Sequence, residues 1–93
     1  MAIEVRLPTV LRAAASGQAS VFVEGETIGE ILKALSGSFP GLGNQVVSPD
    51  GSLHRFVNVY LNDDDVRYLE KLDTKVAEGD VVSILPAVAG GSF

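Results

Sequence analysis

Ninety-three residues, 46% of them apolar and 20% charged, fit one folded domain whose apolar side chains go mostly into a single core, leaving little for a deep cleft. A formal charge of −5 with seven scattered Lys and Arg argues against nucleic acid and favours an acidic face that meets a basic protein partner. The absence of cysteine removes disulfides, thiolate metal sites and a thiol nucleophile, and without a spanning apolar run or a signal-peptide pattern the expectation is a soluble cytoplasmic protein with no membrane contact.

Ile3, Val5 and Leu7 alternate with Ala2, Glu4 and Arg6, which predicts a strand over 2–7 closed by Pro8. The small and polar residues 12–18 read as a turn, and the β-branched and aromatic run 19–23 as a second strand, making an N-terminal hairpin. Thr27 stands three residues ahead of Glu30, the spacing of a capping box, so a helix is predicted to begin there. Ile28, Ile31, Leu32 and Leu35 share one face of it, and Gly37 offers a stop near residue 36. Residues 39–55 read as a connection with a short helical turn around 42–46.

The clearest strand is 56–61, with Val57, Val59 and Leu61 on one face and Phe56, Asn58 and Tyr60 on the other. Asn62, Asp63 and Asp64 form a turn, 65–67 a short strand, Glu78-Gly79-Asp80 a second turn, and 81–85 the last strand, stopped by Pro86. The order predicts an α+β domain of the β-grasp type over residues 1–86: a mixed sheet of about five strands with one main helix packed on one face. In that layout the first and last strands lie side by side in the middle, and residues 87–93 project as a flexible tail.

No catalytic constellation emerges. His54 is the sole histidine and has no second ligand for a metal, so a surface or packing role is expected. Asp63, Asp64 and Asp65 lack the spaced ligands of a calcium loop, Gly41-Leu42-Gly43 lacks the context of a phosphate loop, and the serines lack a base with an orienting group.

The chain closes on ILPAVAGGSF. This ending, read with Asp80 to Pro86 and with 53–91 as a whole, resembles the ubiquitin-like sulfur carriers, the family of ThiS, MoaD and CysO, and is most similar to the CysO type, which serves cysteine synthesis. The resemblance covers the whole chain. It implies that an E1-like enzyme of the MoeB or MoeZ kind adenylates the Gly91 carboxylate with ATP, and that a sulfur donor converts the adenylate into a thiocarboxylate. The carrier binds no cofactor and is no enzyme; ATP belongs to the activating partner. Gly90 and Gly91, without Cβ atoms, can extend through a narrow tunnel, and the stretch from Pro86 to Gly91 reaches roughly 20 Å.

The same resemblance assigns Phe56, Tyr60, Val81, Leu85 and Pro86 to partner binding, since the first four fall on the sheet face opposite the helix near the tail. Coverage of these four by the long loop is the competing reading. The sequence departs from the family's active form by continuing through Ser92 and Phe93, which ties the Gly91 carboxyl into a peptide bond. The expectation is removal of that dipeptide by a zinc-dependent JAMM-type peptidase, or else that it was added by cloning. A cysteine synthase is the expected sulfur acceptor. The competing functions are a molybdopterin synthase small subunit, a carrier for thiamin or a thio-natural product, a ubiquitin-like protein modifier, and a plain interaction domain.

Overall fold

Alternation along the first strand sets the frame. In the computed structural model, which describes residues 2–48, 53 and 57–86, β1 (Ala2–Arg6) buries Ile3 and Val5 and turns Glu4 and Arg6 to the other face. It pairs antiparallel with β2 (Ser20–Glu24), which buries Val21 and Val23 in the same sense. The predicted hairpin therefore exists, but its connection is not the turn expected. α1 (Thr9–Arg12) runs into a 3-10 turn at Ala13–Ala15, seating Leu11 and Ala15 in the core, and ends where Ser16 and Gly17 take positive φ of 59° and 80°. Three consecutive alanines are strong helix formers, although residues this small also suit a turn.

α2 (Ile28–Ser38) starts where the capping spacing placed it. Thr27 Oγ1 accepts the Glu30 N–H at 3.2 Å, while the Glu30 carboxylate reaches back one residue further, to the Glu26 N–H at 2.9 Å. Ile28, Ile31, Leu32 and Leu35 are buried against the sheet as expected. The helix passes through Gly37 rather than stopping there, and Phe39 separates it from α3 (Pro40–Val46), a full helix where only a turn was expected. Proline at its first position suits a helix start, since that N–H has no intrahelical partner.

β3 (Val57–Leu61) buries Val57 and Val59, and β4 is only Asp64–Asp65. The short strand predicted over 65–67 stops early because Val66 is drawn fully into the core. Asp65 Oδ1 accepts the Arg67 N–H at 2.9 Å and bends Val66–Tyr68 into a 3-10 turn. A further 3-10 turn at Lys71–Asp73 packs against α2. The turn at Glu78-Gly79-Asp80 forms as predicted, with Gly79 at φ 91° and the Asp80 N–H on the Ala77 carbonyl at 3.0 Å.

β5 (Val81–Pro86) completes a five-stranded sheet in the order β2-β1-β5-β3-β4. β1 and β5 run parallel in the middle, as the sequence implied, and the other pairings are antiparallel. This is the β-grasp. One face of the sheet is covered by α2, with α3 packed against that helix, and closed by Ile3, Val5, Val59, Val82 and Ile84, all fully buried, each worth about 1.5–3 kcal/mol of apolar transfer. No helix among the described residues is long and apolar enough to cross a membrane.

Candidate functional site

The site is built on the sheet face opposite α2 and on the end of that face where β5 leaves the sheet. Register places the residues. Val81 lies beside Glu4, Ser83 beside Arg6 on one side and Tyr60 on the other, and Leu85 opposite Asn58. Pro86, the last residue of β5, is opposite Val57. Because side chains alternate, Val82 and Ile84 go into the core while Val81, Ser83 and Leu85 face outward.

The outward residues differ in how far they are open. Leu85 is 45% exposed and Pro86 is also exposed, whereas Tyr60 and Val81 are partly buried. Leu85 and Tyr60 sit diagonally on neighbouring strands, close enough for their side chains to meet. Most of the long loop weighed as a cover for this face, residues 49–52 and 54–56, lies outside the described residues. Leu61 stays half-buried against the core, in line with the face assigned to it. Phe56, His54, Gly90, Gly91, Ser92 and Phe93, with the rest of residues 87–93, lie outside the described residues.

Sequence reasoning missed several residues of this face. Phe22 of β2, 67% exposed, stands next to Glu4, and Glu4 in turn pairs with Arg6 at 3.2 Å in the middle of the sheet. The strand alternation held this information, but only the sheet order brings Phe22, Glu4 and Val81 into one row. Arg12, read as part of a turn, comes from α1 to flank Leu85 across a groove shared with Arg6, Thr9 and Ser83. On the other flank Arg67 donates to the Val57 carbonyl at 2.7 Å and to Asn58 Oδ1 at 2.8 Å, bracing the strand opposite Leu85 and Pro86.

Among the described residues no group of three or more His, Asp or Glu is placed to hold a metal, and no buried side-chain polar atom lacks a partner. Asp63 and Asp64 are exposed residues of a turn and its short strand. Gly41 and Gly43 belong to α3, and Gly43 is buried against Ser36 of α2. The arrangement is a rigid platform: an apolar, arginine-flanked surface ending at a chain exit in the centre of a sheet.

Comparison with known proteins gives this platform a context. The ThiS family model matches residues 5–91. The sulfur carrier protein CysO of Mycobacterium tuberculosis (strain ATCC 25618 / H37Rv) is 46% identical over 93 residues, spanning 98% of this chain and all of the relative. The crystal structure of the Amycolatopsis orientalis BexX/CysO complex contains a chain 43% identical, with a TM-score of 0.86, covering 96% of this chain and 99% of that one. Small archaeal modifier protein 3 of Haloferax volcanii is 33% identical over 94 residues, again 98% of this chain and all of the relative.

Proposed function

The chain belongs to the ThiS family, and from that premise we propose that it is a sulfur carrier whose Gly91 carboxyl is adenylated and then converted to a thiocarboxylate. The observation that carries this reading is where the family match ends. It stops at Gly91, the second glycine of the tail, a few residues beyond the point where β5 leaves the middle of the sheet. A carrier needs a rigid body to be recognised and a thin, extended end to reach a buried reaction centre. The open face supplies the first, and Gly90 and Gly91 suit the second.

The chemistry belongs to partners. A peptidase of the JAMM type hydrolyses the bond between Gly91 and Ser92, freeing the carboxylate. A carboxylate oxygen then attacks the α-phosphorus of ATP on an E1-like enzyme, pyrophosphate leaves, and the product is an acyl-adenylate. A sulfur nucleophile attacks its carbonyl carbon, AMP leaves, and the sulfur remains on Gly91. The chain is a co-substrate throughout and holds no cofactor. A relative seen in complex with BexX supports work through a partner protein, and in this reading the sulfur acceptor is a cysteine synthase.

The test is direct. A form ending at Gly91, incubated with the host's activating enzyme, ATP and a sulfide source, is expected to exchange one oxygen for sulfur by intact mass. An unchanged mass, with enzyme that activates another carrier, overturns the reading. Offering the thiocarboxylate to an O-phosphoserine-dependent cysteine synthase and to a molybdopterin synthase large subunit then assigns the pathway. A second reading, protein modification through Gly91, is favoured by the likeness to an archaeal modifier. Gly-Gly remnants on digested cellular lysines report it.

A further inference from the structure

The net charge of −5 points to a basic partner, but charge is not spread evenly along the sheet. Glu24, Glu26, Asp63, Asp64, Glu78 and Asp80 gather where β2 and β3 end and β5 begins, with Lys75 among them. The opposite end, where the chain exits at Pro86, carries Arg6, Arg12 and Arg67. Of these, Arg67 is committed to Val57 and Asn58, and Arg6 is held by Glu4. Arg12 is different.

Arg12 is partly buried and anchored by one hydrogen bond, Nε to the Leu7 carbonyl at 3.1 Å, and among the described residues no carboxylate pairs with it. That bond fixes the guanidinium while leaving its two terminal amino groups for another acceptor. Arg12 borders a groove of about 370 Å³ in which Arg6, Thr9, Ser83 and Leu85 also take part. The guanidinium fork matches a carboxylate in two parallel hydrogen bonds, and a pre-fixed fork loses less freedom on binding. A cation held beside an exposed leucine, at the tail end of an otherwise acidic molecule, fits a partner surface that is apolar at its centre and acidic at its rim.

We propose that the groove at Arg12 and Arg6 seats an Asp or Glu side chain of the activating enzyme, next to the apolar socket that receives Leu85. The assignment rests on the carrier reading for the identity of the partner. It also gives the acidic pole a role: repelled by the same acidic rim, it turns the molecule so that the Pro86 end approaches first.

Binding of the full chain to the host's activating enzyme, measured by calorimetry at low and at high salt, tests this separately from sulfur transfer. Arg12→Glu is expected to weaken binding roughly tenfold or more, because it sets like charges against each other, with the deficit shrinking at high salt. Arg6→Glu, at an exposed position that leaves the fold alone, is expected to act in the same direction. Arg12→Lys is expected to recover part of the loss, and Lys33→Glu, on the helix-covered side, to change little. Equal affinities for wild type, Arg12→Glu and Arg6→Glu, or no binding by wild type, overturn the proposal. Wild-type binding with no thiocarboxylate on the Gly91-ending form overturns the carrier reading instead, while the variants still decide the groove.

Discussion

Pro86 stands directly opposite Val57 on the last rung between β5 and β3, and the Val57 carbonyl there accepts a hydrogen bond from the Arg67 guanidinium at 2.7 Å. The tail is thus launched from a rung clamped by a side chain of another element. Arg67→Ala removes that bond and the one to Asn58, and it should cost about 1–2 kcal/mol, since hydrogen bonds from a charged donor contribute more than neutral ones but these are partly solvated. Urea unfolding checks the size. Faster amide exchange confined to the Val57 and Leu85 end of the sheet checks the location.

Gly43 and Gly41 lie two residues apart in α3 and should respond in opposite senses to alanine. A Cβ on Gly43 would come within 2.8 Å of the Ser36 Cα, where backbone has to move, so Gly43→Ala is expected to destabilise by about 1–3 kcal/mol through forced separation of α2 and α3. A Cβ on Gly41 meets nothing within 4 Å, so Gly41→Ala should be neutral or stabilising by up to about 1 kcal/mol. Thermal unfolding of the two variants side by side separates packing from propensity.

These residues also mark where reading the sequence succeeded and where it stopped. The strands and the capped helix were legible because alternation and the Thr27 to Glu30 spacing are local signals, and the central pairing of the first and last strands followed from the β-grasp layout that their order implies. The connection at Thr9–Ala15 was not, since a four-residue helix followed by a 3-10 turn has too few periods to announce itself and its alanines look like loop. The packing role of Gly43 was hidden for a related reason: its close approach to Ser36 is a contact between helices. Leu85 could be assigned to the outer face by counting, but Arg12 and Phe22 join it only through tertiary placement.

The helix start offers a quantitative check on the one cap the sequence announced. Thr27→Ala removes the acceptor for the Glu30 N–H and should cost about 1 kcal/mol, whereas Thr27→Ser should cost little. Glu30→Gln retains an acceptor for the Glu26 N–H and should fall between the two. Chemical denaturation with unchanged slope shows whether the loss is confined to the folded state.

If Gly91 is the carrier position, protein isolated from its own host during active sulfur transfer should include a species ending there. Intact mass spectrometry reads this without any partner in hand. A population that retains Ser92 and Phe93 throughout, while sulfur is being transferred, counts against processing. Blocking the zinc peptidases of the cell with a chelator should enrich the longer form.

Ile84 and Leu85 are neighbours in β5 with opposite destinations, which makes them the sharpest pair for separating fold from function. Ile84 is fully buried between the sheet and α2, so Ile84→Ala should lose about 2–5 kcal/mol through lost transfer energy and the cavity left behind, and unfolding should shift accordingly. Leu85 is 45% exposed and its side chain points away from that core, so Leu85→Glu should change stability by no more than about 0.5 kcal/mol. Its effect is expected in binding instead: a carboxylate at the centre of an apolar contact is desolvated without a partner, and it faces the acidic rim inferred from Arg12. Affinity for the activating enzyme should therefore fall more for Leu85→Glu than for Leu85→Ala, with both proteins folded by circular dichroism. Equal affinity for wild type and Leu85→Glu would remove this face from the docking surface.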